Sequence, residues 1–383
     1  MEAVLDKKIN VDKSNWQLVK FGDVVFEPKE STKDPIADKI KHVVGLEHIT
    51  SEDIHLRSSN SIDGSTSFTK KFAADDVLFG RRRAYLKKAA QAKFSGICSG
   101  DITVFRAKEN LLPELLPFVV QNDKFFDFAI KHSAGGLSPR VKFKDLANYK
   151  FLLPPKDQQA KLAELLWAMD EVIERELEVK IKFRTVLFSS LKSVFQETTN
   201  RENLIELCVN QPKYGANSPA KEFDNITRYI RITDIGEFGE LNEEKVSAKT
   251  DENKYLLEYG DFLLARSADP GRSYYYKDSD GRCIHAGYLI KFPLDLSKVL
   301  PEYLYYFTQT KGFKIWVNQT TRKGTLSNIN SKEFSRLKVP ITTISNQKEV
   351  VSQISSLYSK LNDINDKVLA SQSLQKSLIN QIF

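Results

Sequence analysis

The chain repeats itself once, and this internal repeat constrains the fold more than any other feature of its 383 residues. When the sequence is shifted by 188 positions, the segment LPE at 112–114 falls on LPE at 300–302, and Gly136 falls on Gly324. Ten identities occur without a gap between residues 111 and 159, where unrelated sequences of this length would share about three. Repeated sequence indicates a repeated structural unit. We therefore expect one architecture to occur twice in this chain.

The repeat places a globular region before each of two long helical segments. We expect a first globular domain at 1–155, a spacer helix at 156–200, a second globular domain at 201–343 and a second spacer helix at 344–383. Both globular regions mix β-branched runs with helical runs, which predicts a mixed α/β or α+β fold with an internal pseudo-two-fold relation. The order of the strands cannot be derived from these patterns.

The two spacer segments carry apolar stripes that predict long, paired helices. No Gly or Pro interrupts residues 157–196, and apolar residues recur there at steps of three and four. Asp157 and Ser345 are the predicted N-caps. A long striped helix is not stable alone in water, so we expect antiparallel pairing, with polar Ser371 and Gln375 setting the register. The predicted pairing residues are Leu166, Met169, Ile173, Ile354, Leu357, Leu361, Ile364 and Val368. The alternative is two unrelated core helices of separate domains.

Composition and charge indicate a globular protein that could bind a polyanion. The formal net charge is +7 and the pI is near 9.0, values compatible with such a partner. No apolar run approaches the length that spans a bilayer, and the first ten residues lack the apolar core of a signal peptide. Cys98, Cys208 and Cys283 are widely separated and odd in number, which fits a reducing cytoplasm and no disulfide framework.

Basic clusters occur at equivalent places in both halves and predict contacts with DNA. Residues 80–93 hold six cations and no acid, and residues 131–144 hold five, counting His132. Lys and Arg neutralise phosphates, whereas Arg and Asn can make bidentate contacts with guanine and adenine edges. The candidate DNA contacts are Arg81, Arg82, Arg83, Gly136, Ser138, Arg140, Lys142, Arg231, Arg266, Arg272, Arg322, Lys323, Gly324, Asn328 and Asn330. For any single cluster, a solvated surface loop is the alternative interpretation.

Sequence signatures of catalysis are missing. The chain has no GxGxxG or P-loop pattern, no GxSxG and no HExxH. Its five histidines pair with no cysteine at the spacing of a metal site. We therefore predict no catalytic residue and no metal site, which favours a binding protein that lends specificity to catalytic partners.

The ordered series of motifs resembles the DNA-specificity subunit of type I restriction-modification systems, over nearly the whole chain. No single motif carries this likeness, but the series recurs twice at fixed spacing. The motifs are WQLVKFGDVV (16–25), YIRITDI (229–235), GDFLLARS (260–267), LPEYLYYFTQT (300–310), the loop-to-strand run KGTLSNINSKEFSRLKVP (323–340), and the Leu/Ile-rich helices that end at Phe195 and Phe383. The first half departs from the usual pattern, with HVVGLEHI (42–49) and FGRRR (79–83), and we interpret this difference as a different sequence specificity of the two domains.

The resemblance implies two target-recognition domains, one for each half of a bipartite site in double-stranded DNA, with the paired helices acting as a ruler. It also implies a cytoplasmic subunit that docks two DNA-methyltransferase subunits, and through them the restriction/translocase subunits. No cofactor is expected in this chain, because S-adenosylmethionine, ATP and Mg would bind the partner subunits. One helical turn inserted after Gln159 is then expected to change the spacing of the half-sites.

Three other hypotheses remain open from sequence. The chain could serve a related restriction system in which partner subunits fuse methylation and cleavage. It could be a helical scaffold protein without specific DNA binding, or a nuclease whose active site the motifs do not reveal. Salt-dependent DNA binding would distinguish a specificity subunit of a related restriction system from a scaffold protein. Metal-dependent cleavage by the chain alone would indicate the nuclease.

Overall fold

The computed structural model forms two compact units, and each is treated by itself. It describes residues 11–62, 66–236, 239–250, 253–321 and 328–383. Unit 1 contains the chain up to Leu177 together with Asp366–Phe383, and unit 2 contains Glu178–Asn365. Both boundaries fall inside the predicted spacer helices. Within the described ranges, no helix is both long enough and apolar enough to cross a membrane.

Unit 1 is built on short strands arranged in three sheets. The described strands are β1 (Gln17–Lys20), β2 (Val25–Phe26), β3 (Val43–Val44), β4 (Lys70–Phe72), β5 (Val77–Gly80), β6 (Ala89–Gln91), β7 (Gly96–Cys98), β8 (Ile102–Ala107) and β9 (Lys150–Leu153). A four-stranded sheet has the order β2-β8-β5-β6, a second sheet has the order β3-β7-β4, and β1 pairs with β9. All four residues of β5 are buried, which explains its continuous apolar sequence.

The helices of unit 1 cover this sheet core. They are α1 (Phe21–Val24), α2 (Leu116–Val120), α3 (Asp123–Lys131), α4 (Phe143–Leu146) and the first part of α5 (Lys156–Glu197). The segment after Pro113 forms two helices. Gln121 ends the first. Asn122 caps the second, because its side chain accepts a hydrogen bond from the backbone N–H of Lys124 at 2.8 Å.

Unit 2 repeats the strand arrangement. Its described strands are β10 (Arg201–Asn203), β11 (Lys213–Tyr214), β12 (Ala220–Glu222), β13 (Arg228–Ile230), β14 (Val246–Ala248), β15 (Asp261–Ala265), β16 (Ser273–Tyr275), β17 (Cys283–His285), β18 (Leu289–Pro293) and β19 (Lys338–Pro340). The four-stranded sheet has the order β11-β18-β15-β16, and β10 pairs with β19, β12 with β14 and β13 with β17. The helices are α6 (Pro301–Thr308), α7 (Lys311–Thr320), α8 (Ser331–Ser335) and α9 (Ile344–Ile382), whose last part belongs to unit 1.

The two units share the main features of one topology, which confirms the predicted mixed α/β fold with an internal repeat. The four-stranded sheets have the same order, and each unit adds a parallel pair, β3 with β7 and β13 with β17. The strand before each long helix pairs antiparallel with a strand near the start of the unit. The β-branched runs HVVGLEHI and RYIRITDI each form a strand of two or three residues and then a 3-10 turn, at Leu46–His48 and Ile232–Asp234.

In unit 1 the long helices pair antiparallel, and three of the predicted pairing residues are buried there. Leu166 is fully buried in the unit 1 core together with Leu378 and Ile379 of α9. Ile173 and Val368 are buried, whereas Met169 is half-buried. The side chain of Gln375 is buried, and its amide donates to the carbonyl of Leu166 at 3.3 Å. This bond fits the polar register position predicted in the seam.

In unit 2 the C-terminal part of α5 pairs with the N-terminal part of α9. Leu187 and Leu191 of α5 share one apolar core with Ile354 and Leu361 of α9. Leu357 packs against that core from a partly buried position, and Ile364 is half-buried. Lys180 donates to the side-chain oxygen of Asn365 at 2.6 Å. The apolar stripe therefore serves both helix pairing and the domain core, two roles that the prediction had kept apart.

The predicted N-caps were wrong by two residues. α5 begins at Lys156, and the carbonyl of Pro155 accepts from the backbone N–H of Gln159 at 2.9 Å, so Asp157 lies in the first turn. α9 begins at Ile344, and its cap is Thr343, whose hydroxyl accepts from the N–H of Asn346 at 3.3 Å. An acid in the first turn is still favourable, because it faces the positive end of the helix dipole.

Candidate nucleic-acid interface

In unit 1 the predicted arginines are held by a strand–loop junction. The chain leaves β5 at Gly80, and the backbone of Arg81–Arg83 runs beside the loop at Ser138–Val141. The N–H of Val141 donates to the carbonyl of Arg81 at 3.0 Å, and the N–H of Arg83 donates to the carbonyl of Pro139 at 2.8 Å. Two basic segments that lie about 55 residues apart in sequence thus become one surface.

The loop itself is a small hairpin that begins with two glycines. Ala134 and Arg140 exchange two backbone hydrogen bonds of 2.9 Å each. Gly135, directly after Ala134, has a φ of +115°, a conformation that favours glycine, and a Cβ built on Gly136 would meet no atom within 4 Å. The backbone at Gly136 is therefore open, as a close approach to a ligand requires. Lys142 follows the hairpin and is exposed.

Asp101 ties the side chains of this junction together. Its carboxylate accepts from Arg140 Nε at 2.7 Å and from Arg82 Nη1 at 3.3 Å. The hydrogen bond from Arg140, reinforced by Arg82, lowers the pKa of Asp101 below its ordinary value. Arg82 also donates to Ser138 Oγ at 3.1 Å. One carboxylate shared by two guanidinium groups leaves the junction positive while fixing the directions of both arginines.

In unit 2 the equivalent junction joins Arg266 to the loop that precedes α8. Arg266 follows β15, and its carbonyl accepts from the N–H of Ile329 at 2.8 Å. Arg266 Nε donates to the side-chain oxygen of Asn328 at 3.1 Å, and the guanidinium lies 5.0 Å from the ring centroid of Tyr214. Stacking on an aromatic ring orients a guanidinium and leaves its edge available for bidentate contacts.

The other predicted contacts of unit 2 have local structural roles. Asn330 caps α8, because its side chain accepts from the N–H of Glu333 at 3.0 Å. Arg231 pairs with the buried carboxylate of Asp234 at 2.6 and 3.0 Å, and Arg272 donates to Asp269 and to the carbonyl of Ile235 at 2.6 Å. Their roles toward DNA stay predictions, as for every candidate contact. Arg322, Lys323 and Gly324 lie outside the residues that the structure describes.

Sequence reasoning missed two residues of these junctions. Asp101 stands in the loop before β8, and an isolated acid in the run SGDI carries no signal that it would meet Arg82 and Arg140. Tyr214 lies about 50 residues before Arg266 in sequence, so only the β11-β18-β15 order brings the two together. Both are consequences of sheet topology, which the residue pattern did not provide.

The two junctions are one backbone arrangement with different side chains. The bond between Val141 and Arg81 in unit 1 corresponds to the bond between Ile329 and Arg266 in unit 2. The side chains around it differ, with a carboxylate shared by two arginines in unit 1 and an arginine–asparagine–tyrosine group in unit 2. A common frame that carries different donors and acceptors is suited to binding two different versions of one kind of ligand.

Comparison with known proteins gives the same division into two copies. The family model described as "Type I restriction modification DNA specificity domain" matches residues 13–182 and again residues 202–371. The chain is 23% identical over 395 residues to the type I restriction enzyme MjaVIII specificity subunit of Methanocaldococcus jannaschii, covering 90% of this chain and 86% of that protein. It is 26% identical over 169 residues to the EcoDI specificity subunit of Escherichia coli, covering 43% of this chain and 37% of that protein.

Solved structures share the fold. A chain from a study of the complex assembly and conformational transition of the type I R-M system has a TM-score of 0.60 and 20% identity, with 96% of each chain covered. The S subunit of the type I restriction-modification system of M. genitalium has a TM-score of 0.55 and 13% identity, with 98% of each chain covered. With two copies of the family domain spanning most of its length, this chain belongs to the family of type I restriction-modification DNA specificity subunits.

Proposed function

We propose that each unit of this chain reads one half of a bipartite target in double-stranded DNA, and that the chain itself catalyses no reaction. The observation that carries this proposal is the repeated strand–loop junction, in which the bonds Val141–Arg81 and Ile329–Arg266 hold different side chains in one frame. Family membership supplies the class of ligand. Two similar frames with unlike chemistry support an asymmetric site with two different half-sites.

The side chains at the junctions have the chemistry that base recognition needs. Arg140 and Arg266 are each fixed by one hydrogen bond from Nε, so their terminal nitrogens can make bidentate contacts with a guanine edge. Exposed Lys142 suits a phosphate, which adds affinity without sequence information. We assign base reading to the restrained arginines and phosphate binding to the exposed lysine.

We also propose that the chain docks two methyltransferase subunits, which carry restriction/translocase subunits in turn. S-adenosylmethionine, ATP and Mg would bind those partners. The repeat supports two equivalent docking places, since each unit presents a similar long-helix surface beside a similar domain.

Sequencing of methylated bases in the host, with and without this gene, tests the proposal. The expected result is a bipartite, asymmetric methylated motif that disappears when the gene is removed. Variants at Arg140 should alter one half of the motif and variants at Arg266 the other half. A motif that persists without the gene, or one that both variants change in the same half, would contradict the assignment. A helical scaffold without specific DNA binding predicts no such motif.

A further inference from the structure

A cleft in unit 2 is lined by large apolar side chains and by charged residues of one sign. Its volume is about 810 Å³, and its apolar side chains include Phe188, Phe313 and Trp316. Its described lining residues include no Asp or Glu, whereas six are cations: Lys192, Arg201, Lys311, Lys314, Arg336 and Lys338. Clefts of this size hold several bulky side chains of a ligand. Large apolar surface beside charge of a single sign indicates a ligand that is both apolar and anionic.

The equivalent place in unit 1 is filled by the chain's own side chains. Asp123, the first residue of α3, lies 2.8 Å from Lys87 Nζ and 2.9 Å from Lys376 Nζ, and it accepts from Asn380 at 2.6 Å. Burial would raise its pKa, but the hydrogen bonds from Lys87, Lys376 and Asn380 outweigh burial and lower the pKa to about 2. One carboxylate therefore links α3 to the end of α9.

The repeat shows what unit 2 has in place of this network. At the offset of 188, Asp123 corresponds to Lys311, Lys376 corresponds to Phe188, and Asn380 corresponds to Lys192. The acid is replaced by a cation, and one of its partners by an aromatic ring that is 38% exposed. In the described part of unit 2, no carboxylate forms an ion pair with Lys192 or Lys311. Unit 2 therefore has the same helix start as unit 1 at this place, but a lysine stands where unit 1 has its carboxylate.

The position of Lys311 makes the missing carboxylate more significant. Lys311 is the first residue of α7, as Asp123 is the first residue of α3. The N-terminal end of a helix favours a negative charge, so a lysine there is unfavourable and an added carboxylate would be favourable. Lys314 of the same helix lies 5.9 Å from the ring centroid of Phe188, which places cationic and aromatic groups side by side.

We propose that this cleft binds a segment of a partner protein that carries large apolar side chains beside carboxylates. The partner's carboxylate takes the place that Asp123 has in unit 1, between Lys192 and Lys311, and its apolar side chains cover Phe188. Because the equivalent place in unit 1 is already occupied, the cleft takes one segment per chain. This stoichiometry differs from the two-fold docking proposed above, and the site requires no DNA.

The test uses the full chain and a fluorescein-labelled synthetic helical peptide with Leu on one face and Glu on the other. A matched peptide has Gln in place of every Glu. We expect the Glu peptide to bind with one peptide per chain and about tenfold more tightly than the Gln peptide. Binding is measured by fluorescence anisotropy, and the stoichiometry by titration at a chain concentration above the Kd.

Two double variants locate the site. Lys192→Glu with Lys311→Glu reverses the rim charge and should weaken binding about tenfold. Phe188→Lys with Lys311→Asp installs the equivalents of Asp123 and Lys376 of unit 1 and should weaken binding at least as much, although it lowers the net charge only by the difference between one added and one reversed cation. The control is Lys161→Glu with Lys182→Glu, two exposed lysines of α5 outside the cleft, and it should stay within about twofold. Thermal unfolding verifies that each variant is folded.

Several results would overturn the proposal. Equal binding of the Glu and Gln peptides, two peptides per chain, or an equal loss in the control variant would exclude a built acidic-segment site. Displacement of the peptide by short duplex DNA, with loss of DNA binding in the Lys192→Glu, Lys311→Glu variant, would make the cleft a nucleic-acid surface. A chain dimer that dissociates in the same variant would make the occupant a second copy.

Discussion

Gln159 and Gln347 make the same three hydrogen bonds, at positions that differ by 188 throughout. The side-chain oxygen of Gln159 accepts from the N–H of Leu112 at 2.9 Å, and its amide donates to the carbonyls of Asn110 and Pro154. Gln347 accepts from the N–H of Leu300 at 2.9 Å and donates to the carbonyls of Lys298 and Thr342. Both side chains are buried. Each glutamine therefore fixes the start of a long helix to a segment of its own unit. This segment is 110–112, before α2, in unit 1 and 298–300, before α6, in unit 2.

We predict that Gln159→Ala and Gln347→Ala destabilise the chain by similar amounts, about 2–4 kcal/mol each, because each removes a buried side chain that is the hydrogen-bond partner of three main-chain groups. Chemical denaturation that reports on each unit would measure the loss. Gln353→Ala is the control, since Gln353 is exposed on α9 and should change the unfolding free energy by less than about 0.5 kcal/mol. A loss at Gln159 no larger than the control would show that these bonds contribute little.

The glutamine pair shows what the sequence could predict and what it could not. All partners of Gln159 and Gln347 are main-chain groups, so the identity of the glutamine is retained while Pro154 and Thr342 differ. Such retained residues allowed the repeat to be recognised in the sequence, and the repeat in turn predicted the two long helices and the mixed α/β class. The order of the strands could not be predicted from the repeat. The loops of the two units differ in length, and this shifts the alignment of the two halves upstream of residue 111. Asp101 and Tyr214 therefore could not be placed beside the arginines they contact.

Asp101→Asn should strengthen binding to random duplex DNA. The substitution removes the carboxylate that Arg82 and Arg140 share, so both guanidinium groups become available to phosphates. The slope of log affinity against log salt should become steeper by about one to two, and the preference for the cognate sequence should fall because Arg140 loses its orientation. The comparison is Asp157→Asn, which removes one exposed acid from the first turn of α5. An equal effect in both variants would show that the stronger DNA binding comes from the change in net charge and not from release of Arg82 and Arg140.

Arg266→Ala and Lys142→Ala should separate base reading from phosphate binding. Loss of Arg266 should cost about 1–3 kcal/mol on the cognate site and relax the preference at one base position. Loss of Lys142 should weaken cognate and random DNA alike and reduce the salt slope by about one. Binding of the assembled complex to cognate, singly substituted and random duplexes measures both effects. The assignment fails if Arg266→Ala weakens all three duplexes equally.

A pH effect is expected where His55 meets α5. His55 Nε2 lies 2.8 Å from Oδ2 of the buried Asp170 and 4.0 Å from Glu174 Oε1. The positive charge of Arg57 acts against protonation of His55. The hydrogen bond with Asp170 raises the pKa of His55 above 6.5, against the effects of burial and of Arg57. A raised histidine pKa stabilises the fold fully below the unfolded pKa, and this contribution is lost as the pH rises through the folded pKa.

The unfolding free energy of the wild type should therefore exceed that of His55→Gln by more at about pH 6 than at about pH 9. Nuclear magnetic resonance titration of the His55 ring should give a midpoint above 6.5. A difference between wild type and His55→Gln that is constant with pH would show that the Asp170 contact is made by neutral histidine.

The contacts between the long helices determine where a spacer can be lengthened. Gln375 binds the carbonyl of Leu166 in unit 1, and Lys180 binds Asn365 in unit 2. A turn inserted after Gln159, the place expected from sequence, would move Leu166 away from Gln375. Four residues inserted after Leu177, matched by four after Asn365, keep the contacts inside each unit, because both insertions lie at the unit boundaries.

Under the proposed function, this matched double insertion should lengthen the spacer of the methylated motif and leave both half-sites unchanged. Four helical residues add about 6 Å, which corresponds to about two base pairs of duplex. Methylated-base sequencing of a host that carries the variant measures the spacer. The insertion in α5 alone is the comparison, and it should reduce stability because it shifts one helix against the other within a unit. An active variant whose spacer is unchanged would show that the paired helices do not set the distance between the half-sites.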